Sequence, residues 1–83
     1  MKHVIKIHPI YFKQVVKGVK KAELRVNDRC YEQGDIVEML EWCPDKNDYT
    51  GNKIEIKITC VNDVSKFTNV DNQVMFSFVL NED

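Results

Sequence analysis

No stretch of this chain approaches the roughly 20 consecutive apolar residues that a membrane-spanning helix requires. Its opening segment, MKHVIKIHPIYF, alternates apolar with basic side chains and lacks the continuous apolar run of a secretory signal. These absences lead us to expect a cytoplasmic location and no membrane partner. Cysteine is equally uninformative as a staple. Cys30, Cys43 and Cys60 are odd in number, widely spaced and without a C-x-x-C, so reduced thiols are expected rather than a disulfide framework. A zinc site needs closely paired ligands, and the two histidines, His3 and His8, stand together far from the cysteines. Neither a metal nor any other cofactor is expected. With two prolines and three glycines there is also no linker, repeat or low-complexity segment.

What is present fits one small domain. A chain of 83 residues buries only roughly 60–65% of the surface its unfolded form exposes, so a modest stability is expected. Hydrophobic residues at 43% and charged residues at 30% are ordinary for a globular fold. The net charge of −1 conceals an imbalance. Residues 1–21 carry six lysines and no acid, whereas residues 22–83 carry six basic and thirteen acidic side chains. A polyanion would have to meet the amino-terminal segment, although solvated lysines on a helix and an edge strand explain the same pattern.

Periodicity supplies the elements. Residues 3–7 alternate and predict a first strand. Pro9 suits the first turn of a helix, and Phe12, Val15, Val16 and Val19 make an apolar stripe, so a helix is expected over residues 9–17 with Gly18 at its end. The period then switches to two. Ala22, Leu24 and Val26 share one face of a strand over 21–26, and Lys21, Glu23 and Arg25 the other. Further strands are expected over 36–42, 53–61 and 73–80, with a hairpin loop at 44–52 and no clear period at 62–72. On the strand over 53–61, Ile54, Ile56, Ile58 and Cys60 are predicted to point inward. The expected core is Phe12, Val15, Leu24, Ile54, Ile56, Ile58, Phe76 and Phe78. One helix and five strands in mixed order predict an α+β fold, a small mixed barrel whose closure hides its edges.

The polar residues with chemical potential cluster where the helix ends and the second strand begins. Glu23 and Arg25, two apart on a strand, project from one face, and Lys20 lies in the connection, able to swing over that face. Two cations flanking a carboxylate suit a phosphate or a nucleobase: Arg offers a planar fork of donors, Lys a mobile point charge, and Glu accepts from an exocyclic amine. Surface ion pairs on the wet face of an amphipathic strand would look the same. Tyr49, in the 44–52 loop, could stack on a base, and Trp42 could line the same rim; packing against the sheet is the competing role for both.

The string Gly18-x-Lys20-x-x-Glu23-x-Arg25 resembles the G-x-K-x-x-E-x-R signature of the ASCH domain (activating signal cointegrator homology), within the PUA-like superfamily. His3, Ile5-Lys6-Ile7, Pro9, Tyr11-Phe12, Asn27-Asp28-Arg29, Gly34-Asp35 and Tyr49-Thr50-Gly51 extend the likeness to a compact subgroup met in phages and bacteria, itself without an assigned function. The resemblance covers residue 3 to about residue 61. It implies a PUA-like barrel with a cleft beside the helix that binds RNA, or otherwise a nucleotide or nucleobase, through Lys20, Glu23, Arg25, Arg29 and Tyr49. A monomer is favoured. Some small bacterial relatives of that family are amidohydrolases acting on N4-acylated cytidine, with a lysine matching Lys20 and a threonine nucleophile where this chain has Glu23. If this chain were an enzyme, Lys20 and Glu23 would be its catalytic residues. A carboxylate is a poor nucleophile toward an amide, so binding is the leading expectation and hydrolysis the alternative.

Overall fold

A computed structural model describes residues 1–81. It is an α+β domain with strands β1 (Lys2–Ile7), β2 (Ala22–Val26), β3 (Ile36–Cys43), β4 (Asp48–Asp63) and β5 (Gln73–Leu80), and helices α1 (Pro9–Val16) and α2 (Ser65–Thr68). The strands form one curled sheet in the order β1-β3-β4-β5-β2. β1 runs parallel to β3, and every other pairing is antiparallel. The sheet is a half-barrel: β1 and β2 are its two edges and curl round to meet across a seam. A side chain rather than a strand ladder spans that seam, with Arg25 Nη2 donating to the Lys6 carbonyl at 2.7 Å.

The core lies inside the curl. Val15, Val37, Met39, Ile56 and Phe76 are all 0% exposed, and Ile5, Ile7, Phe12, Tyr31, Ile58, Val74 and Phe78 complete the cluster. Each such side chain stabilises the fold by roughly 1.5–3 kcal/mol relative to exposure. α1 begins at Pro9 as expected and buries Phe12 and Val15. Its last turn hands over to Gly18 at φ +76°, a conformation that costs glycine little and other residues more. A side chain there would meet nothing within 4 Å, so the backbone angle, not crowding, demands glycine.

One rim of the core is polar. The His3 ring, 6% exposed, packs at 4.9 Å from Tyr31, which in turn packs at 4.9 Å from Phe76. His3 Nε2 donates to Asp35 Oδ2 at 2.7 Å, and the same carboxylate accepts from the amino terminus and the Glu32 N–H, each at 3.1 Å. Asn27 Oδ1 accepts the Tyr31 N–H at 2.8 Å and so folds the loop that delivers Tyr31 to the core.

Four expectations need correcting. Leu24 is not in the core: it is 52% exposed, and Val26 47%, because β2 turns its charged face inward and its apolar face out. Cys60 is exposed, since a bulge between Ile58 and Cys60 shifts the register by one and gives the inward position to Val61 instead. Residues 48–52 are strand rather than loop, with Tyr49 paired opposite Trp42. Residues 65–68, without a readable period, make the single turn of α2. Ile54 is half-buried and packs against the core from its edge.

Candidate functional site

The short connection from α1 to β2 positions the first residue of the site. The N–H groups of Val19 and Lys20 both donate to the Gln14 carbonyl, at 3.0 and 3.1 Å, so the chain doubles back over the last turn of α1. Lys20 is thereby brought beside Glu23, with its Nζ 3.2 Å from Oε1. Arg25 holds the other oxygen: Nε and Nη2 each lie 2.9 Å from Glu23 Oε2. The carboxylate thus sits between two cations, one on each oxygen. The three side chains are 22%, 12% and 31% exposed for Lys20, Glu23 and Arg25, half-buried enough that water screens the cluster only partly.

Backbone register explains why these charges face inward. Glu23 pairs with Phe76 and Arg25 with Val74, and directly opposed residues of an antiparallel pair share a sheet face. The charged trio therefore continues the face that β5 uses for the core, at the point where the sheet runs out of neighbours.

Above the trio an open groove follows the seam in two adjoining lobes. One, of about 470 Å³, is lined by Tyr11, Lys20, Ala22, Glu23, Leu24 and Met75. The other, of about 520 Å³, includes Lys6, His8, Arg25 and Trp42 and shares Tyr11, Glu23 and Leu24 with the first. Both volumes fall within the ~300–1,000 Å³ of small-molecule sites. Aromatic rings line the groove, Tyr11 in both lobes and Trp42 in the second. Lys20 Nζ stands 5.5 Å from the Tyr11 ring centre, and Lys6 Nζ 4.1 Å from that of Trp42. Trp42 packs edge-on against Tyr49 at 4.8 Å, and Lys6 Nζ is 5.8 Å from the Tyr49 ring.

Of the residues expected at the site, Lys20, Glu23 and Arg25 are brought together, and Tyr49 adjoins the groove through Trp42. Arg29 is not among them. It is exposed in the loop before Tyr31 and lines neither lobe; its charge is felt at the Tyr31 phenol, which burial pushes up and Arg25 and Arg29 draw back. Lys6 and Tyr11 were not readable as site residues. Lys6 alternates outward on β1 like any surface lysine, and only the meeting of the β1 and β2 edges puts it in the groove. Among the lining residues of the first lobe, the sole hydroxyl is the Tyr11 phenol.

The fold and site together define a small half-barrel domain with an open groove along its seam, lined by paired charges and aromatic rings. The chain belongs to the family described as a domain of unknown function, DUF3850, which matches residues 2–78. It is 39% identical over 80 residues to an uncharacterized 12.9 kDa protein in the GpA 3′ region of Escherichia phage P2, covering 96% of this chain and 70% of that one. The crystal structure of the hypothetical protein PH0355 superposes with a TM-score of 0.66 at 15% identity, covering 98% of this chain and all of the other, a likeness of fold alone.

Proposed function

We propose that this domain is an ASCH-type, PUA-like binding module that holds RNA, or a nucleotide or nucleobase, in the groove along its seam. The observation that carries the reading is the Glu23 carboxylate clamped between Lys20 and Arg25 in an open groove lined by Tyr11 and Trp42. Phosphates answer the cations, and bases stack on exposed aromatic rings with roughly 1–3 kcal/mol each. Lys6 adds a third cation on the other wall, so a strand lying along the seam passes between positive charges from β1 and β2. A cytoplasmic site of action and a monomer go with this reading.

The alternative, hydrolysis of an N4-acylated cytidine, draws on the same groove. Both oxygens of Glu23 are engaged by cations, and a carboxylate is a poor nucleophile toward an amide. Incubation with N4-acetylcytidine should therefore release little or no cytidine; robust turnover abolished by both Lys20→Ala and Glu23→Ala would replace binding with catalysis.

The direct test is binding of the purified protein to short single-stranded RNAs and to nucleosides at two salt concentrations. Affinity for RNA should fall as salt rises, through release of counterions from neutralised phosphates. Lys20→Ala and Arg25→Ala should each weaken binding by about 1–3 kcal/mol, and Lys46→Ala, in the exposed turn before β4, by less. Absence of binding to every oligonucleotide and nucleoside at low salt would overturn the reading.

A further inference from the structure

We infer that the free edge of β2 takes up an extended segment of a partner protein, an added strand of alternating apolar and acidic residues. The inference goes beyond the nucleic-acid reading and does not depend on it. It starts from where the backbone of β2 points. The Lys21 carbonyl accepts the Phe78 N–H at 2.9 Å, and the Asn27 N–H donates to the Asn72 carbonyl at 2.8 Å. Successive residues of an antiparallel strand turn their N–H and C=O groups to alternate sides. Lys21, Glu23, Arg25 and Asn27 therefore face β5, and Ala22, Leu24 and Val26 face away from it.

That side of β2 has no neighbouring strand, because β2 ends the sheet. The Val26 carbonyl is taken by the Asp28 N–H at 2.8 Å. Among the described residues, the N–H and C=O groups of Ala22 and Leu24 have no partner. Both residues line the first lobe, so these groups open on the groove. Residues two apart on a strand repeat every roughly 6.8 Å. A second extended backbone presents its own donors and acceptors at that same interval, which is how a peptide adds to a sheet edge.

The seam admits one chain and no more. A single side chain, that of Arg25, crosses from β2 to the Lys6 carbonyl, and a gap of that width has no room for the edge of a second folded sheet. Arg25 does not line the first lobe, so a strand beside residues 22–24 leaves the bridge in place.

The neighbouring side chains set the composition of the strand. Its residues alternate between the two sheet faces as those of β2 do. On the outer face they meet Ala22, Leu24 and Met75, and Leu24 is 52% exposed, so apolar side chains fit there. On the other face they meet Lys20, whose ammonium spends one of its three protons on Glu23. Lys6 and Arg25 in the adjoining lobe bring the seam to three such cations against the Glu23 carboxylate, so acidic side chains fit there. A five-residue edge approached through Lys20 and Lys21 discourages basic strands in the same way that edge lysines discourage aggregation.

The test is titration of the intact protein at low salt with an end-blocked octapeptide alternating valine and glutamate, followed by NMR. Saturable binding should slow amide hydrogen exchange at Ala22 and Leu24. With valine opposite Leu24, the valine N–H groups point at β2 and the glutamate N–H groups away. N-methylation of the valines should therefore weaken binding at least about tenfold, and N-methylation of the glutamates by less than about twofold. Lysine in place of glutamate should cost at least about tenfold through like-charge repulsion. In Lys20→Ala, checked for a native melting curve, the preference for glutamate over lysine should shrink. No binding of the valine–glutamate octapeptide, equal affinity of the two N-methylated forms, or protection that spares Ala22 and Leu24 overturns the added strand. Equal affinity of the lysine form overturns the acidic partner.

Discussion

β5 and β2 are hydrogen-bonded neighbours that use one sheet face for opposite ends. On β5, Val74, Phe76 and Phe78 are between 0% and 5% exposed and fill the core. On β2, the residues facing the first two are Arg25 and Glu23, a clamped pair of charges opening on the groove. The difference lies in position within the sheet. β5 has β4 on one side and β2 on the other, so its inner face is covered; β2 is an edge, and beyond it there is only the seam. The site is core surface that the fold leaves unfilled, and taking charges out of water there is offset by pairing them.

The largest expected effect falls on the apolar side of that comparison. Phe76→Ala should cost about 3–5 kcal/mol, a large share of the stability of a domain this small. A thermal melt that barely moved would mean that β5 does not anchor the core.

The polar rim comes next. Asp35→Ala should cost about 1–3 kcal/mol by stranding the buried His3 ring and the Glu32 N–H. Burial pushes the Asp35 carboxyl up, but hydrogen bonds from His3, the amino terminus and Glu32 outweigh it and hold the group below its ordinary 3.8. A folded value below the unfolded one stabilises at pH above that value, and the contribution is lost as pH falls through the folded one. Hydrogen bonds from Thr50 and Asn52 lower Glu41 from 4.5 in the same sense. Melting temperatures measured across pH 2.5–7 should fall below about pH 4, and more shallowly in Asp35→Ala. An unchanged acid slope would remove Asp35 from the account.

Replacing both Glu23 and Arg25 with leucine sharpens the contrast directly. Stability should stay within about 1 kcal/mol of the parent or rise, as when paired charges give way to packed apolar groups, while binding disappears. A loss of several kcal/mol would show that the seam needs the bridge from Arg25 to Lys6 to stay closed. Smallest of all is Leu24→Ser on the outward face, expected to move stability by no more than about 0.5 kcal/mol.

Much of this was legible in advance. The alternation on β4 and β5 and the stripe on α1 located Phe12, Val15, Ile56, Ile58, Phe76 and Phe78, and Gly18 marked the end of the helix; Val37 and Met39 on β3 were missed because both faces of that strand carry polar residues. What failed did so for physical reasons. Alternation places Leu24 and Glu23 on opposite faces but does not say which face is inside; the apolar one is the default, and an edge strand built around a groove reverses it. The bulge after Ile58 inserts one residue without any local composition to announce it, and so misdirects Cys60. The trio Lys20, Glu23 and Arg25 was readable because it is local in the chain. Lys6, Tyr11 and the His3–Asp35 pair were not, because the parallel pairing of β1 with β3 and the closing of the seam bring together residues with no common period. Asn27, in the string that extends the family likeness, serves the loop by accepting the Tyr31 N–H.

The pairing of β2 with β5, from Ala22 opposite Ser77 to Val26 opposite Gln73, also sets an order of events. Lys20, Glu23 and Arg25 are made well before the strand that holds them in place. Contacts that close so long a loop form late, after the nearer β3–β4 hairpin has repaid its own ordering. During synthesis β1, β3 and β4 can associate while β2 has no partner, so Lys20, Glu23 and Arg25 lie scattered on an unpaired segment. The assembled groove therefore arrives with β5, and a nascent chain that has not yet extended through residues 73–80 can hold part of the core but not the clamped trio.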